Sequence, residues 1–175
     1  MFAGKTEELL RRVRRARIAG QRVVVISHAL DTRAGGGRIA SHAGLDAPSH
    51  AVEDAAGIDA IVPADSDLVA IDEAHFFGGS LVPVVAALAA RDLVVVVAGL
   101  DVTFDGQPFE PLPTLMALAE RVDKLTAICA VCGADAIYHV RVTKREARPG
   151  ELVAEHVGGA EMYQARCRRH FAGQG

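Results

Sequence analysis

The chain has 175 residues, of which 50% are hydrophobic and 23% charged, with a formal net charge of −3. A chain of that length can bury roughly 70% of its unfolded surface, and its composition excludes a disordered tail, a fibre and a nucleic-acid binder driven by bulk positive charge. No apolar stretch reaches the roughly 18 residues of a membrane span, no secretory signal segment stands at the start, and three cysteines suit a metal site or free thiols in a reducing cytoplasm.

The elements follow in chain order. Leu9, Leu10, Val13 and Ala16 recur at helical spacing, predicting a helix over 5–18 that Gly20 stops. The β-branched run 22–27 predicts a strand buried on both faces. Residues 31–58 are rich in Gly, Ala, His and Asp and read as an ordered motif, a mobile loop around Gly35-Gly36-Gly37 and one short helix. Further buried strands are predicted over 67–72, 93–98 and 125–130, with helices over 81–90 and 112–122. Strands alternating with helices indicate βαβ units and a parallel sheet covered on both faces. From Cys129 the texture changes to short strands over 138–142 and 152–157 and a last helix over 160–169. The expected fold is α/β, with a core domain over 1–127 and a small β-rich unit over 128–175.

The chain opens Met1-Phe-Ala-Gly-Lys-Thr6 directly before the first predicted helix. Gly4-Lys5-Thr6 is the second half of a phosphate-binding loop, G-x-x-x-x-G-K-[ST]. In such a loop the N–H groups of the turn and helix N-terminus cradle phosphates, the Lys reaches the β and γ groups, and the Thr hydroxyl binds Mg²⁺. The plain alternative is a frayed terminus with a capping Thr. A phosphate loop also follows a buried parallel strand, which here would precede Met1. Losing about four buried aliphatic side chains at about 2 kcal/mol each forfeits about 8 kcal/mol, comparable with a domain's whole stability of about 5–15 kcal/mol. The expectation is an N-terminally incomplete chain, with the strand and the first loop Gly upstream.

Asp72-Glu73-Ala74-His75 follows the predicted strand over 67–72, at the carboxyl end where open α/β sheets hold ligands. An Asp there serves the Mg²⁺ of a phosphate-loop enzyme. The adjacent Glu can accept a proton from a substrate hydroxyl. The same letters match a helicase box, although a helicase motor needs two RecA-like domains and a far longer chain. Cys129-x-x-Cys132 and Cys167-x-x-His170 use every cysteine in the chain. Two such pairs make a Cys₃His tetrahedral zinc signal with no open position, hence a structural ion; free buried thiols are the alternative.

In this order the motifs resemble the type II thymidine kinase family over almost the whole chain. Met1-Phe-Ala-Gly-Lys-Thr6 is similar to the family's G-P-M-F-[SA]-G-K-[ST], and Asp31-Thr32-Arg33 to its D-T-R. Asp72-Glu73-Ala74-His75-Phe76-Phe77 resembles D-E-[AGC]-Q-F-F, with His75 where Gln is usual. Gly99-Leu100-Asp101-x-Thr103-Phe104, Lys124-Leu125-Thr126-Ala127, Thr143-Lys144-Arg145 and Gly158-Gly159 are also family-like. The resemblance implies a P-loop (RecA-like) parallel sheet flanked by helices, a zinc-binding unit with a lasso loop, and transfer of the ATP γ-phosphoryl group to thymidine.

Residue by residue, it implies Glu73 as catalytic base, Met1, Phe2, Ala3, Gly4, Lys5 and Thr6 as the phosphate loop, and Asp31, Thr32, Arg33, Asp72 and His75 as further ATP-binding positions. Arg33 would offset developing charge. Thymine would lie among Phe76, Leu100, Phe104 and Thr143 and a lasso of Ala154, Glu155, His156, Val157 and Gly158, with Tyr163 closing the pocket. Phe77 and Phe109 read as core. The resemblance also implies Mg²⁺ with ATP, structural Zn²⁺, feedback inhibition by dTTP and a homotetramer in the cytoplasm. The five arginines between Arg11 and Arg17 spread around a helix of a net acidic chain, and read as a solvated face or subunit interface; no nucleic-acid or membrane partner is expected. Two other readings stay open: a helicase-type P-loop ATPase fragment, and a non-catalytic zinc-bearing nucleotide binder.

Overall fold

A computed structural model describes residues 1–31, 37–41, 44–142 and 162–171. The chain divides into two compact units, a larger one from Gly4–Asp101 and Phe109–Val122 and a smaller one from Met1–Ala3, Val102–Pro108 and Asp123–Gly175. The larger unit runs α1 (Lys5–Ile18), β1 (Val23–His28), β2 (Arg38–Ala40), β3 (Asp46–Pro48), β4 (His50–Val52), α2 (Gly57–Ile61), β5 (Leu68–Ile71), a 3₁₀ segment (Ala74–Ser80), α3 (Leu81–Ala89), β6 (Val94–Val97) and α4 (Leu112–Leu118).

Its sheet has the order β4-β1-β5-β6, parallel throughout. Side chains alternate across a strand, so each strand feeds two cores. Val24 and Ile26 of β1 and Val69 and Ile71 of β5 pack with Ile58, Leu81 and Leu88 from α2 and α3. Val25 of β1 and Leu68 and Ala70 of β5 pack on the other face with Leu9, Leu10, Val13 and Ala16 of α1. Each fully buried aliphatic side chain contributes about 1.5–3 kcal/mol. Helix α1 also carries Glu7 and Glu8 in its first turn and Arg15 and Arg17 in its last, complementing the helix dipole. The central sheet is thus parallel and covered by helices, as the alternating pattern implied.

Several elements depart from expectation. β6 is only partly buried, with Val94 51% exposed, because it forms an edge of this sheet. The expected helix over 112–122 ends at Leu118, where Ala119 is extended. Beyond Leu115 its apolar face is uncovered among the described residues, with Leu118 65% exposed. The hairpin β2–β3 and the parallel edge strand β4 stand where a motif, a loop and one short helix were read.

The smaller unit contains β7 (Ala127–Ile128), β8 (Asp135–Ala136), β9 (Tyr138–Arg141), β10 (Tyr163–Arg166) and α5 (Arg168–Phe171). The segment over 125–130 is not a core parallel strand. Only β7 forms, antiparallel to β8, because the Cys129 N–H bonds the Ala134 carbonyl and the Gly133 N–H bonds that of Cys129, closing a tight turn. Of the helix expected over 160–169, residues 160–161 lie outside the described residues, Tyr163–Arg166 form β10, antiparallel to β9, and only the end, from Arg168, is helical. Tyr163 and Ala165 turn inward while Gln164 is exposed, so strand periodicity overrides local helix propensity. The strand expected over 152–157 lies outside the described residues. Tyr138 stacks on Phe171 at 4.3 Å, and the Arg168 guanidinium lies 5.4 Å from the Tyr138 ring. Among the described residues no helix is long and apolar enough to cross a membrane.

Candidate active site

The carboxyl ends of β1 and β5 and the N-terminus of α1 assemble the acidic box and phosphate-loop residues of the larger unit. Gly4 caps α1 at φ 76°, ψ 23°, a left-handed conformation in which Gly carries no Cβ penalty. The first helical N–H groups, at Lys5, Thr6 and Glu7, have no acceptor one turn earlier within the helix and suit an anion. Thr6 Oγ1 donates to Asp72 Oδ2 at 2.9 Å, and the Glu73 N–H donates to Asp72 Oδ1 at 2.9 Å.

Asp72 is buried. Burial first, and then the adjacent Glu73 charge, raise its carboxyl pKa from 3.8 to about 7, against opposing hydrogen bonds and the Lys5 charge. A buried carboxylate this short of positive charge, bonded to a hydroxyl, is oxygen chemistry suited to a divalent cation. Glu73 is also buried and holds φ 48°, ψ 41°. A non-glycine residue in that region costs about 1–3 kcal/mol and is retained where surrounding structure forces it, often at functional sites.

His75 is buried; its Nδ1 accepts the Leu100 N–H at 3.3 Å. Phe76 is half-buried, Leu100 is buried and Phe77 is core. The Asp31 N–H bonds the His28 carbonyl at 2.9 Å. Gly99 is required by close approach, since a Cβ there would lie 2.7 Å from Leu112 and 3.3 Å from the Ala74 nitrogen. Thr32, Arg33, Thr143, Ala154, Glu155, His156, Val157 and Gly158 lie outside the described residues.

Sequence reasoning passed over His28. Its ring packs on Phe77 at 4.6 Å and Phe76 at 5.6 Å, and its Nδ1 accepts the Leu30 N–H at 3.1 Å. Burial lowers its pKa against a hydrogen bond that its ring donates to the Glu53 backbone, and the ring props the acidic box and the turn to Asp31. A histidine closing a β-branched strand was the available signal. A separate cleft of about 370 Å³, lined by residues that include Arg11, Arg12, Arg15, Arg121 and Leu68, reaches the opposite end of β5 from Glu73.

In the smaller unit, Cys129, Cys132, Cys167 and His170 place their ligand atoms within 4.8 Å of one another. Cys132 and Cys167 sulfurs are 3.8 Å apart, and His170 Nδ1 is 3.3 Å from Cys167 Sγ and 3.8 Å from Cys129 Sγ. With metal–sulfur bonds of about 2.3 Å and metal–nitrogen bonds of about 2.0 Å, a tetrahedron has edges of about 3.8 Å and about 3.5 Å. The four ligands therefore fit a metal ion. The Cys167 backbone N–H is the first cause lowering the Cys129 pKa to about 5, which favours the ligating thiolate. Ala3 packs beside this centre with Ala127, Ala136 and Ala165, Phe2 has φ 61°, and Met1 is half-buried. Tyr163 is buried edge-on to His139 at 5.5 Å. Phe104 is half-buried in the 102–108 segment, where Thr103 N–H bonds the Gln107 carbonyl at 2.9 Å.

A thymidine kinase family model matches residues 1–171. The thymidine kinase of Halobacterium salinarum is 48% identical over 171 residues, spanning 96% of this chain and 88% of its own. That of Coprothermobacter proteolyticus is 47% identical, spanning 97% and 85%. That of Deinococcus radiodurans is 44% identical, spanning 100% and 87%.

Proposed function

The chain belongs to the thymidine kinase family, and we propose that it transfers the γ-phosphoryl group of ATP to the 5′-hydroxyl of thymidine, giving dTMP and ADP. The observation that carries this reading is the Thr6–Asp72 hydrogen bond beside a buried, strained Glu73.

In this reading the N-terminus of α1 and Lys5 receive the phosphates of ATP. Thr6 and Asp72 are the residues that would hold Mg²⁺, which when bound offsets charge on the β and γ groups. Glu73 takes the proton from the 5′-hydroxyl as that oxygen forms its bond to the γ-phosphorus. The bond from that phosphorus to the bridging oxygen breaks, and ADP leaves with the electron pair. Asp72 accepts the Glu73 N–H and so fixes the turn that presents the base. Phe76, Leu100, Phe104 and Tyr163 are read, on the family resemblance, as thymine-enclosing side chains. Asp31 is read as standing beside the transferred phosphate.

Zn²⁺ is the ion proposed for the Cys₃His centre, where it would clamp the smaller unit. A kinase domain over 1–127 and a zinc-binding lasso domain over 128–175, a homotetrameric assembly, a cytoplasmic setting and inhibition by dTTP complete the reading and rest on family membership. Nucleoside competition tests the substrate: thymidine should displace a fluorescent thymidine analogue where deoxycytidine does not, because mismatched donors and acceptors are rejected more strongly than a missing methyl. Equal displacement by both would overturn the assignment.

A further inference from the structure

His75 carries no step of the proposed reaction, yet its ring is the centre of a set of contacts. Its side chain is 1% exposed, and its ring packs on Phe76 with centroids 4.3 Å apart and on Phe109 at 5.0 Å. Nδ1 receives the Leu100 N–H at 3.3 Å and lies 3.5 Å from Glu73 Oε2. One ring nitrogen cannot accept from the amide and donate to the carboxylate at once. With Leu100 donating, Nδ1 carries the lone pair and the proton sits on Nε2. A glutamine here would offer a donor and an acceptor from one carboxamide. Histidine commits its Nδ1 to the backbone of the loop.

That loop is already tied to the same turn. The Ala74 N–H bonds the Ala98 carbonyl at 2.9 Å, and a Cβ at Gly99 would meet Leu112 and the Ala74 nitrogen. The Phe109 N–H closes the loop on the Asp101 carbonyl at 3.0 Å. Leu100 is the next link, and its amide meets the ring of His75.

We propose that His75 is a positioning residue, holding the Leu100 backbone against the turn that carries Glu73 so that nucleoside pocket and base keep a fixed spacing. This rests on the thymidine kinase reading, in which Leu100 lines the nucleoside site. His75 acts through the Leu100 backbone, and its Nδ1 also stands 3.5 Å from Glu73 Oε2.

The test uses the full chain with H75F, which keeps an aromatic ring but has no acceptor, and H75Q, which restores one. Nitrogen-15 NMR of wild-type His75 should show the Nε2–H tautomer. Amide exchange at Leu100 should speed up in H75F and return towards wild type in H75Q. KM for thymidine should rise about tenfold in H75F, the scale of a lost hydrogen bond to a buried amide, and H75Q should recover most of it. An Nδ1–H tautomer in the wild type overturns the proposal, even if H75F does not fold. Unchanged Leu100 exchange and unchanged thymidine KM in H75F also overturn it. A wild-type chain that leaves thymidine untouched refutes the substrate reading, while the tautomer and exchange measurements still decide the role of His75.

Discussion

Substituting Asp72 by Asn should make the ligand-free protein more stable, most of all at alkaline pH. Asp72 has a folded pKa of about 7 against 3.8 in the unfolded chain. Because the folded value is raised, this group's contribution to stability is full below pH 3.8 and is lost as pH rises through about 7. Moving a carboxyl from 3.8 to about 7 is worth on the order of 4 kcal/mol at about 1.36 kcal/mol per pH unit. D72N removes the buried charge and keeps both hydrogen bonds. Its carbonyl oxygen accepts the Glu73 N–H, and its amide donates to a Thr6 hydroxyl that turns to accept. At pH 8 without nucleotide or metal, D72N should melt about 8–16 °C above wild type, since about 1 kcal/mol moves the melting point of a chain this size by about 2–4 °C. At pH 4 the two should nearly coincide. Thermal unfolding by circular dichroism across that range is the assay. D72N equally or less stable at pH 8, or a gap that does not shrink on acidification, refutes the electrostatic reasoning. The same variant should lose Mg-ATP-dependent turnover while its fold is intact.

The other predictions concern the base, the metal and a surface pair. E73Q should lower kcat by about 10²–10⁴, the usual worth of a general base, with an unchanged far-UV spectrum, as read by coupled ADP release. C132S leaves three of the four ligands gathered around the metal position; its metal content, measured by atomic emission, should fall at chelator concentrations that wild type withstands. Glu8 accepts hydrogen bonds from Arg11 and Arg12, the Arg11 bond being the largest cause of a pKa near 2. Because that value is lowered, its contribution is present above pH 4.5 and lost as pH falls through about 2. E8A should therefore cost less than about 1 kcal/mol at pH 7, as solvent-screened pairs do, by denaturant melts.

The parts legible in the sequence were those with a local signature. The aliphatic runs of β1 and β5 announce buried parallel strands, and helix α1 has the bounds its periodicity predicts. The spacing of Cys129, Cys132, Cys167 and His170 named a ligand set before any coordinates placed the four atoms together. Thr6 and Asp72 stand 66 positions apart, yet each belongs to a short motif, so their meeting could be anticipated. What stayed hidden depends on tertiary pairing. β4 has three residues and no apolar run, and only its register against β1 makes it a strand. β10 is a strand because β9 lies beside it. The 125–130 segment has the letters of a core strand, but the turn at Cys129 diverts it. The tie from His75 to Leu100 involves a backbone amide, which leaves no trace in residue identity.

The central claim is phosphoryl transfer to thymidine with Glu73 as base, and its most direct measurement is the fate of a radiolabelled ATP γ-phosphate. Incubated with Mg-ATP and thymidine, the wild-type chain should place the label on dTMP, and E73Q should leave it on ATP. Label appearing only as inorganic phosphate, unaffected by thymidine and stimulated by single-stranded nucleic acid, would contradict the account, as would equal dTMP formation by E73Q.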